Sequence, residues 1–249
     1  MSQILSKEFI KRLINDVKCI KRNPLDSNGI YYLHDENDLM TGYALIIGPI
    51  NTVYENGYYF FKFNFTSQYP YEPPVVKFMT NGGNIRFNPN LYTDGKVCIS
   101  LLNTWTGTQW TSCQNISSIL LSLFTLLNDN PFLNEPNVKS NNKEIPKYNT
   151  LLEYANFDIA ICDVINNDSH LYNSETTFIP LFKDIFIEHF INNYQNHLTK
   201  IEKMIHNCDT KSKTKTISVP SYEYRGELNY KMLLSKMKET YIILSNKKS

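Results

Sequence analysis

The first strong pattern along the chain is a stripe of apolar residues, spaced as in an amphipathic helix, between Ser6 and Lys21. Ser6 is suited to cap the start of this helix, and Asn23-Pro24 is suited to end it. The stripe consists of Phe9, Ile10, Leu13, Ile14, Val17 and Ile20, and the charged side carries Lys7, Lys11, Arg12 and Asp16. We predict a helix that lies on a sheet, in preference to one that binds a membrane surface.

Four short runs with the composition of β-strands follow, over residues 30–34, 39–47, 57–65 and 75–79. The third run alternates, with Tyr59, Phe61, Phe63 and Phe65 on one face. The spacers between the first three runs are short, whereas a parallel crossover needs about a dozen residues or more. The pattern therefore predicts an antiparallel sheet, and the prolines of Tyr69-Pro-Tyr-Glu-Pro-Pro74 predict a fixed loop beside its edge.

Beyond Trp110 the apolar spacing becomes helical again. Gln114 or Asn115 is suited to cap a helix that is apolar nearly all round, which predicts a central helix buried against the sheet. The polar, proline-rich residues 128–136 end this helix, and they follow it closely enough that the loop could fold back towards Cys98.

The last part of the chain is helical in pattern. Helices are predicted over residues 150–166, 176–206 and 227–245. Residues 209–220 are polar and rich in lysine, and we interpret them as a solvated loop or linker, in preference to an interaction tail.

Composition limits the possible functions. The 249 residues carry a formal net charge of +1, which fits one large domain or a domain with an appendage. This charge argues against nucleic-acid binding, which needs a concentrated basic surface. Five scattered cysteines without a Cys-x-x-Cys pair favour free thiols in a reducing compartment. With no signal peptide and no apolar run of about 18 residues, we expect no membrane span and a location in the cytoplasm, with the nucleus as a second compartment.

The candidate for chemistry is an irregular stretch, residues 87–110, that contains the single thiol of Cys98. Pro89, Gly95 and Gly107 interrupt any helix or strand there, and a loop between well-patterned elements is a common place for a site. Cysteine is a good nucleophile and a good leaving group, whereas a lone cysteine without such surroundings is more often a small buried residue.

Several short motifs occur here in the order found in the ubiquitin-conjugating enzyme family. They are Gly48-Pro49, Tyr54-Glu-Asn-Gly57, the Tyr-Pro-x-x-Pro-Pro motif at 69–74, Phe87-Asn-Pro-Asn90, Cys98 eight residues later, and Trp110 before the long helix. From Lys7 to about Asn166 the chain therefore resembles this family. Asn-Pro-Asn in place of the usual His-Pro-Asn, together with Asn134-Glu-Pro136, resembles a subgroup of large members with a helical C-terminal extension.

The resemblance implies an α+β fold, the ubiquitin-conjugating (UBC) fold. In this fold a four-stranded antiparallel sheet is combined with an N-terminal helix and a central helix. Residues 1–170 would form the catalytic core, and residues 171–249 would form a helical C-terminal extension, because the resemblance is much weaker after about residue 170.

The resemblance also implies a relay reaction on Cys98. This residue would accept ubiquitin or a ubiquitin-like modifier from an activating enzyme as a thioester, and a lysine of a protein substrate, usually positioned by a ubiquitin ligase, would then take it. Asn90 would stabilise the oxyanion of both transfers or hold the active-site loop in shape, and Asn88 with Pro89 would support that loop. ATP would be used upstream by the activating enzyme, so we expect no cofactor and no metal in the chain itself.

Deprotonation of the incoming lysine is less clearly assigned. Many family members place an Asp or Ser after the central helix for this purpose, and the matching position here is Asn134. An amide can orient an amine but is no base at neutral pH. Asp129 and Glu135 lie close in sequence and could take this role.

Two other functions fit the residues less well. One is a catalytically inactive, ubiquitin-binding scaffold, although such proteins typically lack the cysteine. The other is a papain-like hydrolase that pairs Cys98 with a histidine. The candidates, none in a recognisable motif, are His34, His170, His189, His197 and His206. The conjugating role requires the sulfur of Cys98 to be reachable from solvent along a shallow groove.

Overall fold

Four antiparallel strands in chain order form the central sheet of the computed structural model, which describes residues 5–168, 171 and 173–246. The strands are β1 (Ile30–His34), β2 (Thr41–Ile47), β3 (Tyr58–Asn64) and β4 (Val75–Phe78). Each strand lies within two residues of its predicted bounds, and the antiparallel pairing is confirmed.

Two helices join this sheet in the core, as predicted. α1 (Lys7–Arg22) begins at Ser6, whose side chain accepts a hydrogen bond from the backbone of Phe9 at 3.0 Å. α2 (Ile116–Leu126) begins at Asn115, which forms a reciprocal capping box with the third helical residue. The buried residues of both helices belong to the same hydrophobic cluster as the strands.

The prediction that Asp16 lies on the exposed, charged face of α1 is wrong. Asp16 is buried, and it accepts hydrogen bonds from Arg12 Nε at 2.8 Å and from the hydroxyl of Tyr69. The guanidinium of Arg12 also donates to the backbone carbonyls of Ser112 at 2.5 Å and Gln114 at 2.6 Å. Because these carbonyls immediately precede α2, the pair of Arg12 and Asp16 connects the N-terminal helix to the central helix.

The chain after α2 is mostly helical, as predicted. Its helices are α3 (Ile145–Ala155), a π-helical segment (Asn156–Asp163), α4 (Val164–Asn166), α5 (Lys183–His206) and α6 (Tyr230–Asn246). No helix in the described part of the chain combines the length and the apolar character needed to cross a bilayer.

The prediction of a loop over residues 209–220 is wrong, because part of this segment belongs to a β-hairpin in the extension. β5 (Thr214–Val219) pairs antiparallel with β6 (Tyr224–Asn229), so the last helix also begins later than predicted. Ile217 and Val219 are buried at alternate positions of β5, which is the pattern of a strand with one covered face. The polar composition of the segment conceals this alternation.

The extension covers the second face of the sheet. Tyr58 and Phe60 are fully buried, and the ring of Phe186 lies 5.6 Å from the former and 6.2 Å from the latter. Phe178 stacks on Tyr43 at 4.3 Å. The extension therefore forms a third layer of the fold, and the sheet is buried on both faces.

His197 of α5 lies in aromatic surroundings in this third layer. Its ring is 5.8 Å from the rings of both Phe157 and Phe190. Neither ring nitrogen has a hydrogen-bond partner among the described residues. Burial, with smaller contributions from His189 and Lys200, lowers the pKa of His197 to about 4.

The neutral state of His197 predicts a loss of stability in acid. An unfolded histidine takes up a proton near pH 6.5, whereas the folded chain holds His197 neutral down to about 4. The folded state therefore binds fewer protons, and the free energy of unfolding falls by about 3 kcal/mol from this group as the pH drops to 4. Asp163 has a raised pKa of about 6, which acts in the opposite direction. Because His197→Phe leaves Asp163 in place, the contribution of Asp163 cancels when the wild type is compared with this variant.

Urea unfolding near neutral pH and near pH 4 measures this difference. The wild type should lose about 3 kcal/mol more than His197→Phe over that range. An equal pH dependence in the two chains would show that His197 does not stay neutral when folded.

Candidate active site

Two hydrogen bonds join Asn90 and Cys98, the residues predicted to be catalytic. Cys98 N donates to the carbonyl oxygen of Asn90 at 2.8 Å, and Asn90 Nδ2 donates to the carbonyl oxygen of Cys98 at 2.6 Å. The chain reverses between them at Gly95, whose φ of 87° lies in the left-handed region that favours glycine. Leu91 and Val97 pair across this reversal. The reversal therefore brings the amide of Asn90 against the backbone of the cysteine.

Asn88 connects the Asn-Pro-Asn turn to its surroundings. Its Oδ1 accepts from Asn90 N at 3.0 Å and from Asn134 Nδ2 at 3.4 Å. Its Nδ2 donates to the hydroxyl of Tyr54 at 3.1 Å and to the carbonyl of Leu126 at 2.8 Å. The side chain is fully buried, and its amide uses both donor hydrogens and two acceptor positions. These contacts support the role of Asn88 in holding the loop.

The loop after α2, residues 128–136, folds back onto the Asn-Pro-Asn turn, and we call it the gate loop. It contains a 3-10 turn (Pro131–Asn134). Besides its contact with Asn88, Asn134 accepts a hydrogen bond from Asn128 Nδ2 at 3.4 Å. The structure therefore brings Asn134 to the active-site turn.

The two acidic candidates in the gate loop differ in their surroundings. The side chain of Asp129 is exposed. Glu135 is half-buried, and its Oε2 accepts a hydrogen bond from the hydroxyl of Tyr222 at 3.1 Å. Glu135 is thus held by the C-terminal extension, whereas Asp129 faces solvent.

The thiol of Cys98 is covered in this conformation. The residue is only 2% exposed, so the expectation of a sulfur reachable along an open groove is wrong for this arrangement of the loops. A groove of about 540 Å³ lies beside the same segment and is lined by Lys96, Val97 and Leu102, among others. Attack on a carbonyl carbon requires contact with Sγ, so a reaction on Cys98 needs more of this residue to be exposed than this conformation shows.

Arg86 supports the active-site turn, although no sequence motif indicates it. Its guanidinium lies 3.8 Å from the ring centre of Tyr92 and 5.0 Å from that of Tyr222. It also donates to the carbonyl oxygen of Pro89. The position of Arg86 directly before Phe87-Asn-Pro-Asn90 is a signal that could find it, whereas Tyr222 lies outside every motif.

The described histidines do not form a papain-like pair with Cys98. His34 contacts a tyrosine hydroxyl and a backbone carbonyl, each at 2.9 Å, and His189 contacts a tyrosine hydroxyl at 3.2 Å. His197 is enclosed by phenylalanines, and His206 is exposed at the end of α5. The remaining candidate, His170, lies outside the described residues.

The UBC arrangement of sheet and helices and the Asn-Pro-Asn turn beside Cys98 together define a class of protein. A family model described as ubiquitin-conjugating enzyme matches residues 12–154, more than half of the chain. The chain belongs to the ubiquitin-conjugating enzyme family, and the predicted α+β fold is confirmed.

Within this family the chain is similar to proteins named ubiquitin-conjugating enzyme E2 Z. It is 31% identical to the one from Xenopus tropicalis over 235 residues, which cover 93% of this chain and 71% of that protein. It is 33% identical to the one from Homo sapiens over 233 residues, which cover 92% of this chain and 62% of that protein. A solved E2 domain of a Toxoplasma gondii ubiquitin conjugating enzyme matches 60% of this chain and 97% of its own, with 23% identity and a TM-score of 0.47. The predicted resemblance to a subgroup of large members is confirmed by the two E2 Z relatives.

Proposed function

We propose that this chain carries ubiquitin or a ubiquitin-like modifier on Cys98 and transfers it to lysine. The Sγ thiolate attacks the carbonyl carbon of the thioester between the modifier and an activating enzyme, and the thiolate of that enzyme leaves. A substrate lysine amine then attacks the new thioester, forms an amide bond and releases the Cys98 thiolate. The observation that carries this proposal is the pair of hydrogen bonds between Asn90 and Cys98.

Both transfers pass through a tetrahedral oxyanion, and Asn90 matters most in the discharge, where the nucleophile is the weaker amine. Its Nδ2 carries two hydrogens, and one of them is bonded to the carbonyl of Cys98. We assign the second hydrogen to the oxyanion. One well-aimed donor of this kind contributes roughly 2.7–4 kcal/mol to stabilising the transition state.

The gate loop receives the attacking amine in this proposal. Asn134 orients the amine through its side-chain amide, and the proton that the amine loses passes to Asp129, to Glu135 or to solvent. Asn88 and Pro89 keep the turn next to Cys98 in place.

The partners follow from the chemistry of the relay. They are an activating enzyme, the modifier, a ubiquitin ligase and a protein substrate. ATP is used by the activating enzyme, so the chain needs neither a cofactor nor a metal of its own. Its five free cysteines support a cytoplasmic or nuclear location, where thiols stay reduced.

A charging assay with a panel of activating enzymes and modifiers tests the proposal. With ATP, the wild type should form an adduct of the combined mass that reducing agent removes. The alternative, a catalytically inactive ubiquitin-binding scaffold, is favoured by one observation, the 2% exposure of Cys98. That alternative predicts binding of the modifier without any reductant-sensitive adduct.

Asn90→Ala is expected to slow discharge to lysine by about a hundredfold, while charging stays comparatively intact. Charging exchanges one thioester for another with a thiolate as nucleophile, whereas discharge requires attack by a weaker, neutral amine. Single-turnover measurements of both steps give the two rates. Thr93→Ala, an exposed residue of the same loop, is the control and should match the wild type. An equal loss in both steps would point to collapse of the loop and would contradict a role of Asn90 that acts mainly in discharge.

A further inference from the structure

The turn of the β5–β6 hairpin reaches the gate loop. We call residues 220–223 the hairpin tip. The ring of Tyr222 in this tip lies 5.6 Å from the ring of Phe132 in the gate loop and 5.0 Å from the ring of Tyr148 in α3. Its hydroxyl donates a hydrogen bond to Glu135 at 3.1 Å. The tip therefore contacts the gate loop through a ring and through a hydrogen bond.

The same tyrosine reaches the Asn-Pro-Asn turn through Arg86. The guanidinium of Arg86 lies within cation–π distance of the rings of Tyr222 and Tyr92, at 5.0 Å and 3.8 Å. It also donates to the carbonyl oxygen of Pro89. A cation held by two rings and a carbonyl has little freedom to move. Tyr222 thus contacts groups that belong to, or support, both active-site loops.

The hairpin tip is itself anchored on the core. Ser221 donates from its backbone N and from its Oγ to the two carboxylate oxygens of Glu144, each at 3.1 Å. Glu144 immediately precedes α3. Behind the tip, Val219 and Leu228 are buried. A turn that is fixed in this way can set the position of a loop that touches it, as supporting residues do in other sites.

We propose that Tyr222 is a positioning residue for the transfer to lysine, a role that rests on the proposed function. By holding Glu135 on one side and Arg86 on the other, its side chain sets the distance between the gate loop and the Asn-Pro-Asn turn. The gate loop orients the attacking amine, so this distance decides how often the amine reaches the thioester carbonyl in a productive geometry. Charging of Cys98 involves no amine and does not depend on this distance.

Tyr222→Phe tests this role, because it removes the hydroxyl and keeps the ring contacts. The full chain is charged, the activating enzyme is stopped, and discharge to free lysine is followed at increasing lysine concentrations. We expect kcat for discharge to fall about tenfold, with an almost unchanged KM for lysine and an almost unchanged charging rate. Tyr224→Phe is the matched control, since it removes a hydroxyl that lies beside Gly226 of the same hairpin. It should discharge at the wild-type rate.

A double-mutant cycle with Glu135→Ala separates this contact from a general loss of structure. If the hydroxyl acts by holding Glu135, the two changes affect one interaction, and the double variant should discharge no more slowly than the slower single variant. Fully multiplicative effects of the two changes would show that Tyr222 does not act through Glu135, and would overturn the mechanism.

Failure of the proposed function and failure of this role give different results. A wild type that forms no reductant-sensitive adduct overturns both. A wild type that charges normally, while Tyr222→Phe and Tyr224→Phe discharge at equal rates, overturns only the role of Tyr222. A lower melting temperature of Tyr222→Phe with unchanged discharge has the same meaning, because the contact would then be structural alone.

Discussion

Cys98→Ser is expected to remove every reductant-sensitive adduct between this chain and the modifier from the charging reaction. A serine hydroxyl is a weak nucleophile at neutral pH, whereas a thiolate attacks thioesters readily. The variant should either accumulate an oxygen ester that reducing agent does not cleave, or remain uncharged. Electrophoresis with and without reductant, followed by mass spectrometry of the adduct, measures this outcome. Discharge to lysine should be undetectable in both cases.

Cys19→Ser and Cys113→Ser are the matched controls for this experiment. Both thiols are free and exposed, so they are the sites at which a non-specific adduct would form most easily. Each variant should be charged like the wild type. A reductant-sensitive adduct of this chain that persists in Cys98→Ser would move the nucleophile to another cysteine and overturn the proposed site.

The elements of the core could be predicted because their local patterns agree with their tertiary environment. β1 (Ile30–His34) has the predicted bounds, since turn residues delimit a short run of β-forming side chains. α1 begins after Ser6, whose side chain caps the helix as predicted. The prediction that Asp16 lies on the exposed face of α1 is wrong because its buried partner, Tyr69, lies far along the chain. Helical spacing alone indicates an exposed aspartate at this position.

The extension was less predictable, because its position depends on long-range contacts. Tyr58 and Phe60 are aromatic at the second-face positions of β3, which is a signal that both faces of the sheet are buried. The sequence does not show which segment covers them. The hairpin is similarly hard to recognise, since lysine, threonine and serine occupy four of the six positions of β5 and only Ile217 and Val219 mark its covered side.

The candidate site also has one part that the sequence predicts and one part that it does not. Asn90 and Cys98 lie within one recognisable stretch, and their proximity follows from a short chain reversal. The contact between Glu135 and Tyr222 joins two segments that share no motif. Burial of Cys98 also could not be predicted from the sequence, because it depends on contacts that form only in the folded chain.

Asn88 shows that the stability of the active-site turn depends on hydrogen bonds to residues that are distant in the sequence. The sequence indicates only that an amide replaces the usual histidine. In the structure its Nδ2 makes two hydrogen bonds, to the hydroxyl of Tyr54 and to the carbonyl of Leu126, and its Oδ1 accepts two more. A fully buried side chain with this many bonds cannot be replaced without leaving polar groups unpaired.

Asn88→Asp should therefore lower the free energy of unfolding by about 3–4 kcal/mol near neutral pH, although the two side chains have nearly the same shape. A carboxylate loses both donors, faces the carbonyl of Leu126 and is buried as a charge. Burial should raise the pKa of the new carboxyl above its value in the unfolded chain, so the destabilisation should shrink as the pH falls towards 4 and the group becomes protonated. Urea unfolding at several pH values measures this, with Asn84→Asp as the exposed control. A difference between the two variants of less than about 1 kcal/mol would mean that Asn88 does not hold the active-site turn through these bonds.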